Sequence, residues 1–145
     1  MSTLALRLTR SLPADVHTVF AAWSSADALS RWFVVRPHWT ARVECDFRVG
    51  GSYRIEMDKQ DGTVGVAFGE YVEIDPPRRL VFTWNAALPE VQNTRVTVEL
   101  RATGTGTELT LTHELLPDTR RGRNHGTGWE GCLASLVRYL QNPSM

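Results

Sequence analysis

The chain opens with a strict alternation of apolar and polar residues. Leu4, Leu6 and Leu8 take every second position, and this period of two predicts a half-buried β-strand. The spacing then becomes helical, and two short helices are predicted, one beginning after Pro13 and one with a capping signal at Ser24. Their apolar positions are Val16, Val19, Phe20 and Trp23 in the first helix, and Leu29, Trp32 and Phe33 in the second.

From about residue 40 the alternation returns and predicts six further strands. They cover residues 41–47, 52–57, 63–74, 79–84, 94–102 and 107–115. The connections between them are short enough for antiparallel hairpins, so the sequence predicts an antiparallel meander. These connections hold the turn residues Gly50-Gly51, Asp61-Gly62, Asp75-Pro76-Pro77, Pro89 and 103–106.

The final pattern is that of a long amphipathic helix, because apolar residues recur at three and four positions. They are Trp129, Cys132, Leu133, Leu136, Val137 and Leu140. The predicted fold class is therefore α+β: a curved antiparallel sheet of about seven strands wrapped on a long C-terminal helix, with two short helices after strand one. With 145 residues, the chain is expected to form a single domain over 1–145.

Composition narrows the classes of partner. The chain carries 16 basic and 16 acidic residues, so no electrostatic field favours nucleic acid or an anionic membrane. No segment approaches the roughly 20 apolar residues of a membrane span, and no secretory leader is visible. The two cysteines, Cys45 and Cys132, lack the spacing of a disulfide framework or a zinc site. We expect a reduced, cytoplasmic protein.

Two adjacent glycines, Gly50 and Gly51, lie between the first two strands of the meander. Paired glycines admit positive φ and close backbone approach, so they form either a phosphate-binding loop or a sharp turn. A phosphate loop requires a following helix and a Lys-Ser/Thr pair, and neither follows here. The sequence therefore predicts a tight turn.

The order of these elements and several short motifs resemble the helix-grip fold of the START/SRPBCC superfamily, and most closely the activator of heat-shock-protein-90 ATPase homologue-like family. The motifs, which cover nearly the whole chain, are LPADVHTVFAAW, ALSRWF, DFRVGGSYR, GEYVEIDPPRRLVFTW, GTELTLTHELL and HGTGWEGCLASLVRYL.

This resemblance implies a deep, mostly apolar cavity between the sheet and the C-terminal helix. The superfamily includes lipid binders, polyketide cyclases, drug-sequestering proteins and co-chaperones, so the fold alone does not define the function. The family name also implies a chaperone-linked role in the stress response. The eukaryotic co-chaperones of the family carry additional regions for which this chain has no room.

Strand parity predicts which side chains face the cavity. The inward set comprises Tyr53, Ile55, Met57, Val66, Phe68, Glu70, Val72, Ile74, Leu80, Phe82, Trp84, Val96, Val98, Leu100, Leu109, Leu111 and His113. Glu70 and His113 are its two polar members. An ionisable group on an apolar face needs a partner or a shifted pKa, so each is either a hydrogen-bonded structural residue or a candidate for ligand contact and acid–base chemistry.

Other candidates surround the entrance to this cavity. His125 faces the cavity if the last helix begins early, or lies in a loop at the mouth if a capping box at Thr127 starts it. Four residues cluster in and just after the second short helix: Trp32, Phe33, His38 and Trp39. Aromatic residues there either bind flat organic molecules or pack the helix pair. No nucleophile motif and no paired metal ligands are present, so no cofactor and no metal are predicted.

The leading functional hypothesis is binding of a small apolar or aromatic ligand. The candidate cavity residues are Trp32, Trp39, Tyr53, Phe68, Glu70, Phe82, Trp84, His113, His125, Trp129, Cys132 and Leu133. One alternative is a cyclase- or hydrolase-like enzyme that uses His113 or Glu70 in the same cavity. Another is a chaperone-linked protein-interaction module. A homodimer is a further option, because edge strands need cover.

Overall fold

A computed structural model describes residues 3–86 and 91–141 and shows the predicted α+β arrangement. The elements, in chain order, are β1 (Thr3–Leu12), α1 (Val16–Ala22), α2 (Ala26–Trp32), β2 (Thr40–Cys45), β3 (Ser52–Asp58), β4 (Val64–Asp75), β5 (Arg79–Ala86), β6 (Thr94–Thr103), β7 (Gly106–Pro117) and α3 (Arg120–Gln141). The turn expected at Pro89 lies outside the described residues.

The seven strands form one curved antiparallel sheet in the order β1-β7-β6-β5-β4-β3-β2. β1 pairs with β7, so that Leu6 lies opposite His113 and Leu8 opposite Leu111. The remaining strands follow one another as the predicted meander. The inner face of the sheet and the apolar side of α3 share one core, which also includes Val19, Trp23 and Trp32 from the short helices.

Side-chain caps define where the short helices begin. α1 begins after Asp15, whose carboxylate accepts hydrogen bonds from the backbone of His17 and Thr18, as an N-cap residue does. α2 is capped by Ser25, which accepts from the Ala28 N–H at 3.1 Å. The prediction of Ser24 as this cap was wrong, because the Ser24 hydroxyl instead donates to the carbonyl oxygen of Phe20.

α3 begins earlier than its apolar pattern indicates. Thr119 accepts from the Gly122 N–H at 3.2 Å and so acts as the N-cap. Of the two predicted positions for His125, the helical one is therefore the one observed. The buried residues of α3 are Gly122, Trp129, Cys132, Leu133, Ser135, Leu136 and Leu140. In the described part of the chain, no helix is long and apolar enough to cross a bilayer.

The Gly50-Gly51 pair forms the predicted turn between β2 and β3. Gly50 has a φ of 85°, a conformation that favours glycine. Its N–H donates to the Tyr71 carbonyl, and the Tyr71 N–H donates back to the Gly51 carbonyl, each at 2.9 Å. A Cβ at Gly51 would overlap the carbonyl oxygen of Asp46. The two glycines thus tie the turn to β4.

The predicted parity of β4 was wrong for Phe68, Glu70 and Val72, whereas Ile74 packs against the core as predicted. Ala67, Gly69 and Tyr71 face the core, whereas Phe68 and Val72 are 37% and 39% exposed on the outer face. Glu70 is exposed on the same outer face, and a bulge between Tyr71 and Glu73 shifts the register. The small inward residues let β4 approach β5 closely, because a Cβ at Gly69 would overlap the Thr83 carbonyl.

Candidate functional site

A cavity of about 410 Å³ lies between the first half of α3, the loop from α2 to β2, and strands β3 to β5. The loop contributes Phe33, Val35 and Trp39. The described residues that line the rest are Met57, Lys59, Val64, Gly65, Val66, Ala67, Trp84, Ala86, Arg121, Asn124, His125, Gly128, Trp129 and Cys132. This volume is in the range of small-molecule binding sites.

The floor of the cavity is aromatic. Trp84 and Trp129 are buried, with ring centroids 5.1 Å apart, and Phe33 lies 5.6 Å from Trp129 and 6.1 Å from Trp84. The Phe33 and Trp129 rings meet edge to face at 82°, a favoured arrangement for aromatic pairs. Together these three rings present a largely apolar surface to the space above them.

His113 lies beneath this floor and fixes it from the sheet side. The Trp129 indole N–H donates to His113 Nδ1 at 2.9 Å, and since an indole nitrogen is only a donor, Nδ1 carries no hydrogen. The neutral ring therefore keeps its proton on Nε2, which donates to Thr94 Oγ1 at 2.8 Å. Thr94 in turn donates to the Trp84 carbonyl oxygen at 2.6 Å. Both tryptophans of the floor are thus joined through one buried chain of hydrogen bonds.

The protonation state of His113 agrees with these bonds. Burial, and to a smaller extent the nearby His125, lower the pKa of His113 to about 3. A charged ring would also place an N–H against the Trp129 N–H, so the neutral form is required by geometry as well. At neutral pH, His113 is a structural residue and has no free nitrogen for a ligand.

His125 is the histidine that lines the cavity itself. Its Nδ1 lies 2.8 Å from the Arg121 carbonyl oxygen, and since a carbonyl oxygen only accepts, Nδ1 is the donor. Its ring contacts Trp84 and His113 edge to face, with centroid distances of 6.3 Å and 5.4 Å. Nε2 is therefore the ring nitrogen that remains for a further partner.

The mouth of the cavity is polar and partly exposed. Lys59 follows β3 and reaches back toward the loop, so that its Nζ lies 5.3 Å from the centroid of the Trp39 ring. This is within the range of a cation–π contact. Arg121 and Asn124 line the opposite side from α3. α3 thus contributes both to the apolar floor, through Trp129, and to the polar mouth, through Arg121 and Asn124.

A scan against protein-family models matches residues 13–141 to the model described as Activator of Hsp90 ATPase homolog 1-like protein. The chain belongs to this family. Every described residue that lines the cavity falls within the matched span, whereas the whole of β1 precedes it. A comparison with curated protein sequences finds no match.

Solved structures show the same fold as this family member. A protein from Chromobacterium violaceum is 28% identical, with a TM-score of 0.82 over 93% of this chain and 96% of its own. An uncharacterized protein from Rhizobium leguminosarum is also 28% identical, with a TM-score of 0.84 over 97% and 95%. An AHSA1-like protein from Aeromonas hydrophila, at 20% identity, has a TM-score of 0.83 over 97% and 94% and supports the fold alone.

The structure separates the residues that the sequence analysis grouped at the cavity. Five of them line it: Trp39, Trp84, His125, Trp129 and Cys132. Tyr53 and Phe82 lie instead beside a second void of about 10 Å³, which holds at most one water molecule. Trp32 and Leu133 are fully buried in the core, where the Trp32 indole N–H donates to the Ala22 carbonyl.

Phe68 and Glu70 lie on the outer face of β4, so their predicted inward orientation was wrong. Glu70 and His113 consequently sit on opposite faces of the sheet and share no site. Cys132 is buried and its pKa is raised to about 12 by that burial, so its thiol stays protonated and contributes only apolar surface.

Lys59 and Asn124 are lining residues that the sequence analysis missed. A charged residue just after a strand is usually solvent-exposed, and nothing in the apolar pattern distinguishes this one. One signal was available, since Lys59 is the only lysine in the chain.

Proposed function

We propose that this protein binds a small apolar or aromatic ligand in the cavity beneath α3. The observation that carries the proposal is the aromatic floor of Phe33, Trp84 and Trp129, open to a space of about 410 Å³. Ligand sites typically combine such an apolar surface with a few polar groups that orient the ligand.

The rigidity of the floor supports the proposal. Trp129 is held by His113, and the strand that carries Trp84 is held by Thr94, through three linked hydrogen bonds of 2.6 to 2.9 Å. A surface that is fixed before the ligand arrives loses little conformational entropy on binding. Among the described residues, the buried Trp84 indole N–H also has no hydrogen-bond partner, an unusual feature in a native core.

The chemistry of the described lining residues favours binding over acid–base catalysis. Neither candidate for acid–base chemistry presents a free group to the cavity, because Glu70 is exposed on the outer face of β4 and both ring nitrogens of His113 are hydrogen-bonded. The chaperone-linked role stays a prediction that the family name implies. On the outer face of β4, Phe68 and Val72 are exposed apolar side chains, but Glu70 stands between them in sequence.

Phenylnaphthylamine, a neutral aromatic probe whose fluorescence rises in apolar sites, tests the proposal. We expect saturable binding to the wild-type protein and loss of that binding in Gly128→Leu. A Cβ at Gly128 has only the Val35 side chain within contact range, at 3.8 Å, so a leucine there projects beside the cavity without meeting the backbone. Helix propensity favours this change.

The matched control is Ala134→Leu, which adds a leucine side chain to an exposed position of the same helix. It should bind the probe as wild type does. Native mass spectrometry of the freshly purified protein should additionally detect any copurifying ligand. If the probe fails to bind wild type, or binds Gly128→Leu with unchanged affinity, the proposed function is wrong.

A further inference from the structure

Lys59 is the single lysine among 16 basic residues, the other 15 being arginine. It lies at the mouth of the cavity, half-buried, directly after β3. Arginine disperses its charge over a planar fork, whereas the lysine ammonium is a compact charge with three donors on a flexible stem. The position of this one ammonium is therefore a specific property of the site.

Two cavity residues hold the Lys59 side chain in place. Its Nζ lies over the Trp39 ring at 5.3 Å. On the other side, a Cβ built on Gly65 would lie 3.3 Å from Lys59 Cε and 3.9 Å from Nζ. The aliphatic stem of Lys59 thus packs on Gly65 of β4, and a larger residue at position 65 would push it aside. The ammonium stays at the mouth instead of extending into solvent.

Among the described residues, no ion pair balances the positive charge of the Lys59 ammonium. No carboxylate lines the cavity within the described ranges, and none of those residues forms an ion pair with Lys59. Asp61 is close enough for Lys59 to lower its pKa, but the larger effect comes from Thr63, whose hydroxyl and N–H both donate to Asp61 Oδ1. Arg121 also lines the cavity and is engaged in an interaction of its own.

We infer that the ligand required by the proposed function is an aromatic or apolar acid, whose anionic group binds Lys59 Nζ while its apolar body covers Trp84 and Trp129. The inference rests on that function and adds the chemical class of the ligand. Charge-assisted hydrogen bonds to an ammonium are stronger than neutral ones. His125 Nε2, which has no partner among the described residues, lies on the same cavity and is a second polar group for the anion.

Two probes that differ by one charged group test this inference. Anilinonaphthalene sulfonate is phenylnaphthylamine with an added sulfonate. In Lys59→Met the aliphatic stem and its packing on Gly65 are kept, but the ammonium is removed. We expect this variant to bind the sulfonate about tenfold more weakly than wild type and the neutral amine within about twofold of wild type.

The control is Arg36→Met, which removes an exposed charge from the loop between α2 and β2 outside the cavity lining. It should change the affinity for neither probe by more than about twofold. If Lys59→Met weakens both probes equally, or neither, the inference is overturned while the proposed function stands. If wild type binds neither probe, the proposed function fails first, and the inference fails with it.

Amine labelling gives an independent measurement, since Lys59 carries the only side-chain amine. Acetylation by a water-soluble succinimidyl ester is followed by peptide mass spectrometry, with the α-amino group of the chain as internal reference. The sulfonate should slow acetylation of Lys59 several-fold more than the neutral amine does. Equal protection by the two probes would contradict the contact between the anion and Lys59.

Discussion

The indole nitrogen of Trp129 and Nδ1 of His113 are joined by one hydrogen bond of 2.9 Å that links the cavity floor to the sheet. Because the indole can only donate, this bond fixes the tautomer of His113 and excludes its charged form. The histidine that sequence parity places among apolar residues is thus a support for Trp129. Its properties yield the first prediction.

The free energy of unfolding should decrease as the pH is lowered, because His113 resists protonation in the folded protein. Its pKa is about 3 in the folded protein against 6.5 for the ordinary side chain. Below about pH 6.5, His113 is protonated in the unfolded chain but stays neutral in the folded protein. The contribution of His113 to stability is therefore complete above pH 6.5 and is lost progressively as the pH falls toward 3. Two pH units below 6.5, the loss of stability from this residue is roughly 3 kcal/mol.

Urea unfolding at about pH 7.5 and about pH 4.5 measures this loss. Carboxylates titrate in the same window, so the informative quantity is the difference between wild type and His113→Gln, whose stability should fall less between the two pH values. His17→Gln, which changes an exposed histidine in α1, should behave as wild type. Equal pH dependence in wild type and His113→Gln would show that the buried ring titrates normally.

Thr94→Val should destabilise the protein by about 2–4 kcal/mol, because it removes both the acceptor of His113 Nε2 and the donor to the Trp84 carbonyl while keeping the side-chain volume. Thr97→Val is the control, because Thr97 is a buried threonine on the same strand that takes no part in the chain of hydrogen bonds from Trp129 to Trp84. Denaturant midpoints of the two variants should differ clearly. Similar losses in both would show that Thr94 contributes only its volume.

Substitution by alanine should change the stability of the protein in opposite directions at two glycines of α3, Gly126 and Gly131. At Gly126 an added Cβ meets only the Leu6 side chain, at 3.7 Å and beyond, so Gly126→Ala should stabilise the protein by about 0.5–1 kcal/mol through helix propensity. At Gly131 the same atom would overlap the Val35 carbonyl oxygen, so Gly131→Ala should destabilise it. Thermal unfolding of both variants tests the sign, and stabilisation by Gly131→Ala would mean that the helix and the loop are not in close contact.

The turn at Gly51 should tolerate no side chain. Gly51→Ala places its Cβ against the Asp46 carbonyl, so at least one hydrogen bond between this turn and Tyr71 should be lost, with a cost of about 1–3 kcal/mol. Gly104→Ala, in the turn between β6 and β7, has open space around the added atom and should have little effect. Urea midpoints within experimental error of each other would contradict the close approach at Gly51.

Most of the fold could be predicted from the sequence because its strands bury bulky residues on one face. Leu109 and Leu111 in β7 show the pattern that a period of two detects. The prediction of the inward residues failed in the middle of β4, because Phe68 and Val72 face outward while Ala67 and Gly69 face the core. Parity arguments follow bulk, and in this strand Ala67 and Gly69 share the inner face with a single bulky residue, Tyr71.

The site was predictable only in part, for a related reason. Trp84 and Trp129 follow from strand parity and helix spacing. The first turns of α3 combine glycines with polar residues, so no apolar period marks the helix before Trp129, and only the cap at Thr119 reveals its start. Lys59 was not predictable because its position depends on Gly65 and Trp39, which lie on other segments.

The pairing of β1 with β7, which joins Thr3 to Pro117 and Leu12 to Thr107, constrains the order of events during synthesis. A ribosome that adds roughly 5–20 residues per second completes β7 on the order of ten seconds after β1. During that interval the backbone of β1 has no partner strand and its leucine side chains are not buried in the finished core. Pairing between strands that are distant in sequence is also slow to form. The period in which the nascent chain most needs protection from aggregation is therefore set by the separation of β1 and β7 along the chain, and it precedes the synthesis of α3, which completes the cavity.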